Sequence, residues 1–376
     1  MTAAASHESA PGADVVDRVV DGVRIRHQRR DEGVFRQGSR LPLVLAAEGR
    51  RGARYAARWL EEHGDLVADR LSDVGAIVLR GFDLEGAADF EQVALAIDPD
   101  LRDRLPLDDG IRTFRSRFTY DGADYSQRLS AFHHLPLHFE DYYMPACPTK
   151  IMFFCAKPAP SGGETAIVDG RAIYADIPEP IRRALEGRRY VNSRVIPEEV
   201  LRRNSGLESR EEIEAVARAH GVGSITWHEG DGGARAHIAS ELTLVIAHAR
   251  TGDPVWFNAL AQQQRPSHLL GAALACSRIR DPRLVATNLF GLAVVELPSV
   301  TSLLRADPTD PGYLSRRWTF EITRRYWRNA VAMHWRAKDV LVLDNHAVAH
   351  GRLPHLGSRA LLACTSRPKT PRALPC

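Results

Sequence analysis

Short segments rich in β-branched and aromatic residues recur along the chain between residues 75 and 365, with Gly, Pro, Asn and Asp residues between them. Such segments predict strands. Short strands that follow a helical N-terminal region favour a β sandwich or jelly roll with helical insertions. A doubly wound parallel sheet is the alternative, but no GxGxxG or GxxxxGK[ST] motif opens a helix here. The sequence therefore argues against nucleotide binding by those loops.

Local patterns place the individual elements. Apolar residues at helical spacing, or in compact apolar runs, distinguish helices from strands. The predicted helices are 54–71, 90–97, 181–185 and 211–219. The predicted strands are 75–82, 135–140, 149–155, 165–168, 242–247, 255–257, 331–334, 340–343 and 359–365.

Composition limits the class of protein. With 44% hydrophobic and 26% charged residues, the 376-residue chain can bury a sizeable core. A net charge of +3 without a long basic run argues against a dedicated nucleic-acid binder. The chain has no 18-residue apolar span and no signal-peptide pattern, so we expect no membrane partner. Five cysteines without CxxC spacing are typical of reduced thiols in the cytoplasm.

The chain shows neither an internal repeat nor a Pro/Ser-rich linker. We therefore expect one domain over residues 21–376. Residues 1–20 begin with a stretch rich in Ala, Ser and Gly, and we expect them to form a flexible tail.

The first chemical signal is His138-Phe139-Glu140. Residues i and i+2 of a strand point to the same face, so both side chains could reach one metal ion. A motif this short also arises by chance in a chain with 15 histidines and 47 acidic residues, and His63-Gly64-Asp65 is a second match. A core histidine bonded to a neighbouring acid remains an equal interpretation of the segment alone.

A second signal lies more than 200 residues downstream. The apolar run 340–343 ends at the turn-forming pair Asp344-Asn345, His350 follows, and Arg359 begins the next apolar run. Two histidines and one carboxylate form the ligand triad of non-haem Fe(II) oxygenases. A nearby arginine offers a planar fork for a substrate carboxylate. Zinc accepts the same ligands, so a hydrolase stays open at this point.

Taken together, these segments resemble the taurine dioxygenase-like (TauD/TfdA) branch of Fe(II)/2-oxoglutarate-dependent oxygenases. The similarity is greatest to the SyrP-like and clavaminate synthase-like members. The matching segments follow the family's order. They are Gly75–Phe82, Leu135–Glu140, Gly162–Thr165 with Asp169, His248–Asn258 and Asp339–Leu362.

The resemblance implies a mainly β fold: a double-stranded β-helix (jelly roll) core with N-terminal and inserted helices. It implies that His138, Glu140 and His350 are the catalytic ligands of Fe(II). It further implies that Arg359 and Thr165 bind 2-oxoglutarate, with O2 as the other co-substrate. Halogenating relatives carry a small residue in place of the carboxylate, so Glu140 disfavours halogenation.

The distance from the distal histidine to the co-substrate arginine varies within the family, so Arg352 and Arg367 are alternatives to Arg359. Asn258, which lies in a matching segment, is a predicted substrate contact. Arg117 and Arg128 precede the metal motif and are further predicted substrate contacts.

The implied reaction is hydroxylation of an unactivated C–H bond in an amino-acid-like metabolite of a natural-product pathway. The substrate is either free or attached to a carrier protein, and the arginines favour the free form. Desaturation or cyclisation by the same oxidant is an alternative. A metal-binding jelly-roll module without turnover and a zinc hydrolase are the alternatives from other classes.

Overall fold

The computed structural model describes residues 17–34, 39–103, 107, 113–122, 130–258, 260–263, 265–303 and 314–374. Two sheets carry most of the strands. The larger sheet has the order β1 (Arg18–Val20), β2 (Val23–His27), β4 (Leu43–Ala47), β5 (Ala76–Arg80), β18 (Val340–Asp344), β9 (Lys150–Lys157), β21 (Ala360–Thr365) and β6 (Tyr120–Asp121). The smaller sheet has the order β3 (Gly33–Val34), β17 (Val331–Met333), β11 (Thr165–Asp169), β19 (Val348–Arg352) and β7 (Leu135–His138).

Neighbouring strands of both sheets run antiparallel, except for the parallel pair β4 and β5. This pattern excludes the doubly wound parallel sheet. Four smaller groups of strands form the remaining pairings in the described part of the chain. They are β12 (Arg189–Pro197), β14 (Arg235–Thr243) and β13 (Ser224–His228); β16 (Pro254–Trp256), β15 (Val245–Ala247) and β23 (Arg372–Ala373); β10 (Ser161–Gly162) with β20 (His355–Leu356); and β22 (Pro368–Lys369) with β8 (Cys147–Pro148).

The described part of the chain also contains helices. They are α1 (Ala53–Glu62), α2 (Gly64–Val74), α3 (Ala87–Ile97), α4 (Gly170–Asp176), α5 (Glu179–Leu185), α6 (Glu198–Ser205), α7 (Arg210–Ala219), α8 (Leu260–Gln263), α9 (Arg265–Cys276), α10 (Pro282–Leu303) and α11 (Arg316–Asn329). Side chains of α1, α2 and α3 pack with the larger sheet, and side chains of α4, α5 and α11 pack with the smaller one. None of the described helices is long and apolar enough to cross a membrane.

Alternation along the strands of the smaller sheet separates two cores. Ile167 of β11 and Val348 of β19 pack with residues of the larger sheet. Ala166 and Val168 point the other way, into the core beneath the helices. Because side chains on a strand alternate with a period of two, His350 lies on the same face as Val348. It therefore points into the space between the two sheets.

The sequence-based elements agree with the structure in the β core, and the mainly β jelly roll with N-terminal and inserted helices is confirmed. Elsewhere the prediction was incomplete: strands β1, β2, β4, β12 and β13 and helices α4 and α6 were missed, and the strand expected over 242–247 is divided between β14 and β15. The helix expected over 54–71 is divided at His63 into α1 and α2. The helical stretch α9 to α11 was not predicted either. The apolar residues of α10 do not gather on one side of the helix, but α11 is amphipathic and was overlooked.

Of the expected tail, residues 1–20, the first 16 lie outside the described residues. Its last residues, Arg18–Val20, form β1, which pairs antiparallel with β2.

A buried ionic network joins the N-terminal strands to the larger sheet. Arg80 contacts Glu32 at 2.7 Å and Asp339 at 2.6 Å, and each of the three is at most 5% exposed. Arg26 adds two hydrogen bonds to Glu32, at 2.7 and 2.8 Å. Burial raises the pKa of Glu32, but hydrogen bonds from Arg26 and Arg29 and the charge of Arg80 outweigh it and lower the pKa to about 2. The carboxylate therefore remains ionised.

We expect Arg80→Met to lower the free energy of unfolding by about 3–5 kcal/mol, because it leaves Asp339 buried without its counter-ion. Arg40 forms an exposed ion pair with Asp73 and provides a matched control. Arg40→Met should cost at most about 1 kcal/mol. Urea unfolding followed by circular dichroism measures both changes. Equal losses in the two variants would contradict a stabilising role for the buried network.

Candidate metal centre

The pairing of β7 with β19 brings two histidines together. His138 and His350 are direct partners in the antiparallel ladder, and their ring centroids lie 4.5 Å apart. The Glu140 carboxylate lies 3.9 Å from Nε2 of His138 and 3.7 Å from Nε2 of His350. Within the described part of the chain, these three residues form the one group whose ligand atoms could surround a metal ion, all within 4.8 Å of one another.

The donor atoms are oriented for metal binding. Nδ1 of His138 lies 2.9 Å from the carbonyl oxygen of Pro136. Because a carbonyl only accepts, Nδ1 carries the proton and Nε2 presents its lone pair on the side of Glu140. The side chains of His138, Glu140 and His350 are 24%, 12% and 8% exposed, so the group is mostly buried but still partly accessible. Two imidazoles and one carboxylate fit Fe(II).

The strand prediction for residues 135–140 was wrong at its end. Strand β7 stops at His138, and Glu140 lies in the following turn. The buried side chain of Asn345 bonds the Glu140 backbone instead. The backbone N–H of Glu140 donates to Oδ1 of Asn345 at 2.7 Å, and Nδ2 of Asn345 donates to the backbone carbonyl of Glu140 at 2.9 Å. Shared strand geometry therefore does not explain why both side chains of the motif reach the same point.

Arg359 is a buried cation at the start of β21. It is 8% exposed, and the described residues offer its guanidinium neither an ion pair nor a hydrogen bond. Burial lowers the pKa of Arg359 to about 10, against the opposing influence of Cys155 and Glu164. Gly163 makes room for it, since a Cβ there would lie 3.2 Å from Cδ of Arg359. A buried guanidinium without a counter-ion is suited to an anionic ligand.

The two alternative arginines differ in position. Arg352 is 4% exposed, and burial together with the positive charge of Arg359 lowers its pKa to about 9. Arg367 is 64% exposed and contacts Asp100 at 2.6 Å. Arg352 therefore remains an alternative to Arg359, whereas Arg367 lies on the surface in an ion pair of its own.

Thr165 lies opposite Arg352 in the pairing of β11 with β19, and it is 4% exposed. The indole N–H of Trp335 donates to the Thr165 hydroxyl oxygen at 2.9 Å. Since that oxygen already accepts a hydrogen bond, the hydroxyl proton can be donated to another acceptor. This arrangement is compatible with the predicted contact to a co-substrate carboxylate.

The predicted substrate residues lie in different places. Asn258 is fully buried. Its Nδ2 donates to the carbonyl of Leu244 at 2.8 Å, and its Oδ1 accepts from the amide of Leu260 at 3.0 Å. These contacts favour a structural role over substrate binding. Arg117 is 71% exposed in the turn before β6, 3.8 Å from Asp103. Arg128 lies outside the described residues.

Sequence reasoning missed three residues of this region: Asn345, Trp335 and His355. Asn345 was visible only as half of a turn-forming pair, and Trp335 follows a predicted strand without any motif of its own. His355 is 7% exposed, and burial, then the charges of Arg352 and Arg359, lower its pKa to about 4. It is therefore neutral near pH 7. None of these residues has a spacing signal that reveals its contacts.

Comparison with known proteins identifies the family. A profile of the "Taurine catabolism dioxygenase TauD, TfdA family" matches residues 38–365, which is most of the chain. The chain belongs to the TauD/TfdA family. The resemblance inferred from the ordered motifs is thereby confirmed.

Individual TauD/TfdA relatives are distant. A clavaminate synthase-like protein of Arabidopsis thaliana is 27% identical over 310 residues, which cover 78% of this chain and 82% of that protein. The dapdiamide synthesis protein DdaC of Enterobacter agglomerans is 23% identical over 324 residues, covering 81% and 85%. The crystal structure of PvcB from Pseudomonas aeruginosa matches with a TM-score of 0.51 at 15% identity, covering 96% of this chain and 98% of PvcB.

As a TauD/TfdA protein, the chain is a non-haem dioxygenase that depends on Fe(II), 2-oxoglutarate and O2. The expected enzyme class and cofactors are therefore confirmed. The His-Glu-His group between the sheets supplies the donor set that such an iron site requires.

We expect Fe(II) and 2-oxoglutarate, added without oxygen, to produce a weak visible charge-transfer band. Replacing His138, Glu140 or His350 by Ala should abolish it, because each change removes one of three protein ligands. Anaerobic absorption spectroscopy measures the band. His63, which belongs to the other short His-x-acid match, provides the control, and His63→Ala should retain the band. Full activity with zinc and no oxygen uptake would contradict an iron centre at this position.

Proposed function

We propose that this dioxygenase hydroxylates an unactivated C–H bond of an amino-acid-like metabolite in a biosynthetic pathway. The observation that carries the proposal is the convergence of His138, Glu140 and His350 between the two sheets of a TauD/TfdA fold. We further propose that residues 21–376 act as one oxygenase domain. The family match over residues 38–365 supports that extent.

In this proposal His138, Glu140 and His350 hold Fe(II). The bound iron, with O2 and 2-oxoglutarate, supplies the oxidising power for cleavage of the C–H bond. The protein contributes orientation. Nδ1–H of His138 is fixed by the Pro136 carbonyl, so that its imidazole keeps one tautomer and one ring direction. The low exposure of Glu140 and His350 limits the access of water to the reacting groups.

Arg359 and Thr165 bind 2-oxoglutarate in this proposal. The buried guanidinium of Arg359 would bind one carboxylate through parallel N–H donors, which offsets the cost of burying its charge. The Thr165 hydroxyl oxygen accepts a hydrogen bond from Trp335, so the hydroxyl would donate its own hydrogen bond to the same co-substrate. The two positions lie close in the fold, because Gly163, two residues before Thr165, is packed against Arg359.

The substrate class rests on the relatives and on the arginines before the metal motif. DdaC is by its name a dapdiamide synthesis protein, which supports a biosynthetic reaction for this chain. We propose a free, polar amino-acid-like substrate whose carboxylate is bound by one of the arginines before the metal motif, Arg117 or Arg128, with Asn258 as a further contact. Arg117 is 71% exposed, and the internal hydrogen bonds of Asn258 make it the weaker assignment. A carrier-bound substrate has its carboxylate masked as a thioester and would need such an arginine less.

We expect Arg359→Lys to raise the KM for 2-oxoglutarate by at least about tenfold, because loss of a hydrogen bond between charged groups costs about 1.5–3 kcal/mol. Lysine keeps the charge but not the planar fork. Fe(II) affinity should stay nearly normal. Succinate formation at varied 2-oxoglutarate concentration measures the change. Arg367→Lys, at an exposed position, is the matched control and should behave as the wild type. An unchanged KM in Arg359→Ala would transfer the role to Arg352.

We expect free amino acids, rather than their carrier-loaded forms, to stimulate succinate production and to gain the mass of one oxygen atom. The reason is that a free carboxylate can pair with an arginine and place the side chain beside the iron. Parallel incubations with free and carrier-loaded amino acids, analysed by mass spectrometry, measure this. Turnover of only the carrier-loaded form would contradict a free substrate. A product lighter by two hydrogens would replace hydroxylation with desaturation or cyclisation.

A further inference from the structure

Glu140 differs from the two histidines in how its backbone is held. His138 and His350 are partners in a strand ladder, which fixes both of them relative to each other. Glu140 lies beyond the end of β7, in a turn. A metal site tolerates displacement of its ligands by only about 0.5 Å. The site therefore requires an anchor for the backbone of this turn.

The side chain of Asn345 is that anchor. Its Oδ1 accepts a hydrogen bond from the Glu140 amide at 2.7 Å, and its Nδ2 donates to the Glu140 carbonyl at 2.9 Å. Nδ2 also donates to the carbonyl of Pro148 at 2.8 Å. The side chain is completely buried. One amide side chain therefore bonds both backbone polar groups of Glu140.

The turn that carries Asn345 is itself fixed on several sides. The amide of Asn345 donates to the carbonyl of Thr149 at 2.9 Å, and the amide of Asp344 donates to the carbonyl of Gly75 at 2.9 Å. The Asp344 carboxylate contacts Nε2 of the buried His248 at 2.8 Å. Contacts with Gly75, Thr149 and His248 therefore hold the turn in place. We infer that they fix the direction of the Asn345 side chain before any metal binds.

We propose that Asn345 is a positioning residue that presets Glu140 for Fe(II), a role that rests on the proposed assignment of Glu140 as a ligand. Asparagine suits this role because one side chain offers both an acceptor and two N–H donors. Aspartate has the same shape but lacks the donors, and its oxygens would face the carbonyl oxygens of Glu140 and Pro148. Alanine removes every contact.

The test is anaerobic titration of the full-length apoprotein with Fe(II), and with Co(II) as a spectroscopic probe, in the wild type, Asn345→Asp and Asn345→Ala. Removal of residues that orient metal ligands typically weakens metal binding about 10–100-fold. We expect losses in that range in both variants, with a Co(II) spectrum that differs from that of the wild type. The melting temperature of each apoprotein, measured in parallel, reports stability separately.

Asn288 is the matched control. It is also completely buried, and its side chain likewise accepts from a backbone amide, that of His134, and donates to a backbone carbonyl, that of Ala272. Asn288→Ala should lower the melting temperature but keep wild-type metal affinity. If Asn345→Ala lowers the melting temperature equally and leaves metal affinity within twofold of the wild type, Asn345 is merely structural and the inference is overturned.

Two further measurements complete the test. Glu140→Ala separates the inference from the function it rests on. Unchanged metal affinity in that variant would remove Glu140 as a ligand. A loss of affinity there without a loss in the Asn345 variants would refute the positioning role alone.

Hydrogen exchange of the wild-type apoprotein requires no variant to fold. The Glu140 amide should be protected before metal is added, and rapid exchange would overturn the inference.

Discussion

The direct pairing of His138 with His350 across β7 and β19 is the contact on which the site depends. It places one metal ligand from each of two distant parts of the chain on the inner face of the smaller sheet. A slip of this pairing by one residue would turn the imidazole to the other face. A slip would also expel the residues on the opposite face of β11, β17 and β19 from the core beneath the helices: Ala166, Val168, Ala332 and Ala349.

Two kinds of buried charge serve different purposes in this fold. Glu32 and Asp339 pair with the buried cations Arg26 and Arg80, so these charges in the core are balanced within the protein. Arg359 is buried to a similar degree but has no such partner among the described residues. Burial lowers its pKa, which means that the folded protein holds this cation at a cost. An anionic co-substrate would recover that cost, so binding and stability are linked at this residue.

The β core and the types of residue at the site could be read from the sequence, because strand composition and the order of motifs are local properties. Glu140 shows where this reasoning fails. The His-x-Glu spacing predicted a shared strand face, but the strand ends at His138 and the position of Glu140 depends on Asn345, 205 residues away. The contacts of Asn258 were hidden for a related reason: its side chain bonds to the backbone of Leu244 and Leu260, which no motif encodes. Side-chain bonds between distant segments become visible only in three dimensions.

The central place of β18 in the larger sheet has a consequence for how the chain matures. This strand lies between β5 and β9. Asp339, the residue that precedes it, accepts a hydrogen bond from Arg80, which is 259 residues earlier in the chain. A chain emerging from the ribosome therefore cannot complete either sheet until its final segment is available. Closing such long loops is slow, and the strand edges of β5 and β9 stay exposed meanwhile. Folding of this protein should accordingly be sensitive to chaperone supply, and truncation before β18 should leave an aggregating product rather than a weak enzyme.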